Sequence, residues 1–197
     1  MGHSQASKAA SRARILGEAA ARLRSEGLQG LGVAGLMQAA GLTHGGFYRH
    51  FGSRDELLAA ALAAALAEGV AMAADRGAGG DSGGGAGEGA DADIDLRRLV
   101  RGYLSRRHRD AGTAACAISA LAGEVGRDSP ALKAVMAPHV EAFLDGVAAG
   151  TGDDGHAALV VSALVGAVTL ARVLPAERSD VLLHQVQEGL LALLEAG

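Results

Sequence analysis

Residues 33–51 read VAGLMQAAGLTHGGFYRHF, and the fold expected for this part of the chain follows from their spacing. Apolar residues recur at helical intervals on both sides of Gly41, which predicts two short helices, over about 33–40 and 44–50. Gly41 allows a left-handed backbone in the tight turn between them, and Thr43 is a typical N-cap. The apolar side chains expected to lock the two helices together are Leu36, Ala40, Leu42, Phe47 and Phe51. The pattern indicates a helix-turn-helix, whose second helix enters the major groove of DNA.

The second helix of this motif carries polar groups where a core helix would carry apolar ones. The hydroxyl of Thr43 and the first backbone N–H groups of the helix suit a phosphate oxygen. Gly45 and Gly46 each cost roughly 1 kcal/mol of helix propensity, but they let the helix approach a groove closely. The residues that we predict to contact DNA are Thr43, His44, Gly45, Tyr48, Arg49, His50 and Arg54.

Helical periodicity also dominates the rest of the chain, and no alternating strand pattern is convincing. A first helix is predicted over about 8–26, with Gly27 as its C-cap. The sequence Ser53-Arg54-Asp55-Glu56 is a capping box that opens a long helix to about Asp75. Ser129-Pro130 and Ser179-Asp180 have the composition of helix starts. Further helices are expected at 93–108, 112–126, 130–149, 154–173 and 180–195. The expected fold is therefore all-α, with about nine helices.

Charge and glycine content vary strongly along the chain. Residues 1–54 carry seven basic and two acidic side chains, whereas residues 55–197 carry eleven basic and twenty acidic ones, within a formal charge of −4. A basic amino-terminal part followed by an acidic remainder suits a protein that contacts phosphate with one end only, although chance segregation of the charges is the alternative. Residues 77–92 are rich in glycine, which predicts a flexible loop.

The stretch 157–171, AALVVSALVGAVTLA, is apolar on every helical face. It is shorter than the roughly 20 residues of a membrane span, so we expect a buried helix and no membrane segment. In a monomer its outer face would be an exposed apolar patch. Together with Val181, Val186, Leu190 and Leu193, it predicts a four-helix interface between the last two helices of two chains. Burial within one chain is the alternative.

The stretch 41–62, GLTHGGFYRHFGSRDELLAAAL, resembles the signature of the tetracycline-repressor (TetR, AcrR-like) family, and the resemblance extends over about residues 8–75. It implies a helix-turn-helix DNA-binding domain over 8–52 and a ligand-binding and dimerisation domain over 53–197. Gly32 departs from the family pattern, which commonly has a capping threonine there, so one phosphate contact is expected to be missing.

The same resemblance implies roles for individual residues. Thr43, Tyr48 and His50 match phosphate-contacting positions. Arg54 stands where the family usually has lysine. His44, Gly45 and Arg49 match positions that face the groove, whereas Phe47 matches a packing position.

The resemblance further implies a cytoplasmic, ligand-responsive regulator. Such a protein binds a palindromic operator as a homodimer and is released by a small, apolar or aromatic effector; a transcriptional activator is the alternative. The stretch 103–127 resembles a subgroup with a Tyr…His-Arg-Asp…Cys…Ala-Leu…Glu pattern. Candidate effector-binding residues are Tyr103, Cys116, Met136, His139 and Phe143, although an apolar helical stripe is more often core.

Cys116 is the single cysteine, which excludes an intrachain disulfide and favours a reducing cytoplasm. The amino terminus also lacks the apolar segment of a secretory signal. Because three arginines precede Cys116, a thiol sensor of electrophiles or oxidants is an alternative function, and a buried, inert cysteine is the simpler interpretation.

An enzyme is the rival class, and the sequence offers little for it. No lysine follows a glycine in the manner of a P-loop, and the seven histidines are scattered. His184 and Glu188 share a helix face but supply only two ligands, too few for a metal site. We therefore predict no catalytic residues, no metal and no cofactor.

Overall fold

In a computed structural model of the protein, the backbone is described for residues 2–78 and 95–196, and side chains for 5–43, 45–68 and 95–195. Within these residues the fold is all-α, as predicted, with nine α-helices, two 3-10 helices and no strand. The predicted flexible loop lies outside them, apart from residues 77 and 78, which end a helix.

The first helices confirm the sequence pattern, although α1 begins about six residues before its predicted start. Helix α1 spans Gly2–Glu26, α2 spans Val33–Ala39, and α3 spans Arg54–Ala78. A 3-10 helix, His44–Arg49, lies where the second helix of the motif was predicted. The remaining helices are α4 (Leu96–Tyr103), α5 (Arg106–Arg109), a 3-10 turn (Gly112–Ala114), α6 (Ala117–Val125), α7 (Pro130–Thr151), α8 (Asp154–Ala171) and α9 (Ala176–Ala196).

Three predictions about the later helices are wrong in detail. The helix expected over 112–126 is a 3-10 turn, Gly112–Ala114, followed by the shorter α6, Ala117–Val125. The single helix expected over 93–108 is divided, because the Ser105 hydroxyl accepts a hydrogen bond from the His108 backbone N–H (3.1 Å) and so starts a new helix. Ser179 is not a helix start, since α9 begins at Ala176 and buries Ser179. Arg109 donates to the Ser179 hydroxyl (2.8 Å), which accounts for a buried serine inside a helix.

The described residues form two compact units, each with its own core. The first comprises the chain up to Gly69 together with Gly112–Pro138, and the second comprises the described parts of Val70–Ala111 and His139–Gly197. The largest fully buried side chains of the first unit include Ile15, Leu23, Leu36, Met37, Phe51, Leu57, Leu62 and Leu121. Those of the second centre on Val100, Val147 and Leu164. The domain boundary expected after residue 52 stays a prediction.

Helix α8 is only partly the buried helix that was expected. Seven of its residues are buried, whereas Leu159 and Leu170 are 54% and 56% exposed. Among the helices that the structure describes, α8 alone is long and apolar enough to cross a membrane. One such helix is weak evidence for a span, because the core helix of a soluble protein has the same length and composition.

Candidate nucleic-acid interface

The turn of the predicted helix-turn-helix has the geometry that its glycine suggested. Gly41 has a φ of +70°, which is left-handed and favours glycine. The Leu42 N–H donates to the Met37 carbonyl (2.8 Å) and closes the turn. Thr43 occupies the N-cap position with extended backbone, but its side chain makes no capping hydrogen bond. Thr43 is exposed at the start of the 3-10 helix.

The segment His44–Arg49 is 3-10 rather than α-helical. Two consecutive glycines at its start weaken an α-helix, and six residues suit the short runs in which 3-10 geometry is found. The Gly46 N–H donates to the Thr43 carbonyl (2.9 Å), the first bond of this tighter helix.

Apolar contacts hold this segment against α2. Leu36, Ala40, Phe47 and Phe51 are buried as predicted, and Leu42 is half-buried. The rings of Phe47 and Phe51 stack with their centroids 5.8 Å apart. Sequence reasoning missed Met37, which is also fully buried.

The opposite side of the 3-10 helix is open to solvent. The side chain of Tyr48 is 73% exposed and stands edge-on to the Phe47 ring, with 5.2 Å between centroids. Thr43, Gly45 and Arg49 are exposed as well. The side chain of His44, another predicted DNA contact, lies outside the described part of the structure.

Neither packing nor backbone geometry requires a glycine at Gly45 or Gly46. A Cβ at Gly45 would meet nothing within 4 Å. At Gly46 it would make ordinary contacts, 3.6 Å to Met37 Cε and 3.7 Å to Thr43 Oγ1. The positive-φ glycines of the described chain are elsewhere. Two residues that cost helix stability are therefore not explained by this chain alone.

His50 is half-buried at the end of the 3-10 helix. Burial is the first cause that lowers its pKa below 6.5, and the positive charges of Lys8, Arg12 and Arg49 lower it further. Its buried Nδ1 has no hydrogen-bond partner among the described residues. Lys8 and Arg12 thus extend the positive surface, and sequence reasoning missed them. Their spacing of four on α1 was the signal, because it places both on one helix face.

Arg12 links α1 to the start of α3. Its guanidinium lies over the Phe51 ring, 4.7 Å from the centroid, and Nη2 is 3.8 Å from Glu56 Oε1.

The Glu56 backbone N–H donates to Ser53 Oγ (3.1 Å), which confirms the capping box. The reciprocal bond differs from the expected one, since the Glu56 carboxylate accepts from the Gly52 N–H (2.7 Å).

Arg54 is exposed at the first position of α3, and Nη2 donates to the Leu28 carbonyl (3.1 Å). This bond uses one of the five N–H donors of a guanidinium. The geometry fixes the direction of the side chain without consuming its capacity for a phosphate.

The five predicted effector-binding residues do not all lie in one unit. Cys116 and Met136 belong to the first, and Tyr103, His139 and Phe143 to the second. The rings of Tyr103 and Phe143 are stacked at 6.0 Å. A shallow depression of about 300 Å³ is lined instead by Leu104, Arg106, Asp180, Leu183, His184 and Gln187. The effector site stays a prediction.

The 103–110 part of the subgroup pattern has a structural role in the second unit. Buried His108 shares a hydrogen bond with the Tyr103 carbonyl through Nδ1 (2.6 Å). Arg109 bonds to Asp110 (2.7 Å) and Asp180 (2.9 Å). The hydrogen bond to Asp110 is the main cause that raises the pKa of Arg109 far above its ordinary value, so this arginine is always charged. No group of three potential metal ligands occurs in the part of the chain that the structure describes.

Comparisons with known proteins agree with this geometry. Residues 15–61 match the family model described as "Bacterial regulatory proteins, tetR family". A TetR transcriptional regulator from Chloroflexus aurantiacus superposes with a TM-score of 0.75 and 22% identity, over 93% of each chain. A TetR-family regulator from Streptomyces coelicolor gives 0.67 and 23%, over 94% of this chain and 95% of the other. Escherichia coli NemR in its reduced form gives 0.71 and 16%, over 91% and 94%. Among curated proteins, none matches in sequence.

The fold, with its exposed helix-turn-helix, is that of TetR-type transcriptional regulators. Residues 15–61 are similar to the amino-terminal module of that family, and the likeness of fold extends over nearly the whole chain.

Proposed function

We propose that the protein is a cytoplasmic repressor that binds a palindromic operator as a homodimer and leaves it when a small-molecule effector binds. The observation that carries the DNA-binding part is the pair Gly45 and Gly46, which the chain itself does not require. A smooth helix surface flanked by exposed Tyr48 and Arg49 suits close approach to a groove.

Positive charge around this surface supports the same proposal. Lys8, Arg12 and Arg49 are close enough to depress the pKa of His50. Phosphate oxygens would reverse that effect, because they favour the charged imidazole. Contacts of this kind position the protein on the duplex, whereas groove-facing groups such as Arg49 supply sequence preference.

An unpartnered apolar face on α8 and α9 supports the homodimer. Leu159, Leu170, Val173 and Val181 are between 48% and 80% exposed. On α8, Leu159 and Leu170 lie on one stripe with Ser162 and Gly166, at helical intervals of three and four. Val173 follows the end of α8, and Val181 lies on α9. Of the other interface residues predicted on α9, Leu190 lies in the chain's own core, while Val186 and Leu193 are half-buried against that core. Two copies would read half-sites separated by about one turn of DNA or a multiple of it.

The effector is proposed to be apolar or aromatic. The half-buried pair of Tyr103 and Phe143 offers stacking surface beside the apolar core of the second unit. Helix α3 contains residues of both units, and we expect effector binding to shift it. Such a shift requires that the effector bind the DNA-competent and released states with different affinity.

A thiol-based response is the second candidate. Cys116 is half-buried at the N-cap of α6, and the amino-terminal end of a helix favours the thiolate. NemR, whose structure was determined in a reduced form, has a similar fold. Alkylation of the native protein with N-ethylmaleimide should then weaken DNA binding, and Cys116→Ser should abolish the response. Unchanged affinity of the alkylated protein would exclude this candidate.

Mobility shifts on DNA from the region upstream of the gene, at several salt concentrations, test the main proposal. We expect log affinity to fall linearly with log salt, with a slope of about −0.9 per neutralised phosphate. Duplexes enriched from a random pool by the wild-type protein would supply the operator. Absence of binding, or binding without a salt slope, would refute the proposal.

A further inference from the structure

Helix α1 ends in a cap that α6 completes. Gly27 has a φ of +75°, and its N–H donates to the Leu23 carbonyl (3.0 Å), as in an αL cap. The next N–H, that of Leu28, donates to Glu124 Oε2 on α6 (2.9 Å), 96 positions along the chain. The Glu124 carboxylate also occupies the space that a side chain at Gly27 would take, so it packs directly against this cap.

The same residue is held from its other side by a predicted DNA contact. The Leu28 carbonyl accepts from Arg54 Nη2 (3.1 Å), and Leu28 is only 2% exposed. One buried residue therefore has its N–H bonded to α6 and its C=O bonded to the guanidinium that opens α3.

The chain before α6 is fixed independently at its other end. The Arg24 side chain, 6% exposed, pairs with Glu68 (2.7 Å) and also donates to the backbone carbonyls of Ala65 and Thr113. Residues 113–124 are therefore joined to the end of α1 at two points. Thr113, just before α6, is bonded to Arg24, and Glu124, near the end of α6, is bonded to Leu28. Glu124 is thus an acceptor on a segment that side-chain hydrogen bonds join to the end of α1.

From this geometry we infer that Glu124 is a positioning residue for DNA binding, which acts through Leu28 to direct Arg54 towards a phosphate. The inference rests on the proposed function. Without the carboxylate, the buried Leu28 N–H loses its partner and the adjoining peptide is free to turn. The Leu28 carbonyl then no longer restrains Arg54, whose long side chain spreads over many rotamers.

The direction in which DNA affinity changes distinguishes a positioning role of Glu124 from a simple effect of its negative charge. Removal of an acidic side chain from a protein that binds DNA should strengthen binding if only long-range electrostatics matter. Positioning predicts the opposite. Glu141, exposed on α7, provides the matched control, because Glu141→Ala makes the same change in net charge.

A double-mutant cycle between Glu124→Ala and Arg54→Ala, read by DNA affinity at several salt concentrations, tests the inference. We expect Glu124→Ala to lower affinity about fivefold in the parent and less than about 1.5-fold when Arg54 is already alanine. The salt dependence of DNA affinity for Glu124→Ala should also correspond to about one phosphate contact fewer than that of the parent. Glu124→Gln keeps an acceptor oxygen and should remain within about twofold of the parent, as should Glu141→Ala.

If the two substitutions change DNA affinity independently of each other, or if Glu124→Ala binds DNA more tightly than the parent, the inference is overturned and the proposed function is left intact. Failure of the wild type to bind any duplex would remove both. If circular dichroism shows that Glu124→Ala does not fold, Glu124→Asp takes its place in the cycle. It keeps the charge and shortens the reach, and it is judged by the same coupling to Arg54.

Discussion

The surface of the 3-10 helix and the apolar face of α8 and α9 are both exposed, but their chemistry is opposite. The first has two glycines, a tyrosine that is 73% exposed and an arginine. The second has leucines and valines that are about half exposed or more. Both surfaces contain residues that do not stabilise the fold of the single chain. Glycines lower helix stability, and leucines that stay exposed contribute no free energy of hydrophobic burial. The contrast is the basis of the two proposed partners, a polyanion for the first surface and a second copy of the chain for the other.

The largest expected effect comes from breaking the apolar face. Leu170→Glu would place an unpaired charge in the proposed dimer interface, so dimer affinity should fall by about 100-fold or more. Operator affinity should fall with it, because two half-sites are no longer bound together. Sedimentation and mobility shifts measure the two effects. Ala142→Glu, at an exposed position of α7 outside this face, should leave the dimer intact. A wild type that is monomeric at micromolar concentration would contradict the interface.

A smaller effect is expected at the 3-10 helix. Tyr48→Ala should weaken binding to all duplexes about tenfold, because a phosphate contact positions the protein without reading sequence. Since the side chain is 73% exposed, the free energy of unfolding should change by less than about 0.5 kcal/mol. If Tyr48→Phe retains full affinity, the hydroxyl is not the contacting group. Equal affinity of Tyr48→Ala and wild type would argue against this surface altogether.

The substitution Gly45→Ala is expected to change the stability of the fold and the affinity for DNA in opposite directions. The added methyl group meets nothing within 4 Å, so the free energy of unfolding should rise by about 0.5 kcal/mol. DNA affinity should fall about fivefold, because the methyl group separates the helix from the groove. Chemical denaturation and mobility shifts on the same preparation measure both. Gly123→Ala on α6, which has similar space, is the control and should leave affinity unchanged. A gain in stability with no loss of affinity would show that the glycine does not serve DNA.

The smallest effect concerns the pH dependence through His50. Its pKa is lowered in the DNA-free protein, so folding alone favours the neutral ring, and His50 reduces stability as pH falls below 6.5. Phosphate favours the charged ring and raises the pKa on binding, so affinity should rise as pH falls from 7.5 to 5.5, by roughly threefold. His50→Gln should flatten this rise. An identical pH profile in wild type and variant would assign the proton uptake to another group, such as His44.

Sequence patterns predicted the local elements of the amino-terminal module well. The turn at Gly41, the capping box at Ser53 and the buried pair Phe47 and Phe51 follow from side-chain type and spacing along a few residues. The single helix at 93–108 and the start at Ser179 were wrong because their ends depend on partners distant in sequence, such as Arg109 beside Ser179. Lys8 and Arg12 were missed because their role depends on His50, which is 42 and 38 positions away from them, respectively.

By itself, the sequence determined that this chain is helical, that residues 33–51 form a helix-turn-helix, and that the family resemblance lies there. These features depend on interactions between neighbours, whose spacing is written in the chain. Only the tertiary structure decided that Gly45 and Gly46 are unnecessary for packing, and that Leu190 is core while Leu170 is exposed. It also decided that Glu124 reaches Leu28 and Arg54. Those contacts join residues up to 96 positions apart, and the helical period fixes which face a residue lies on, but not what that face meets.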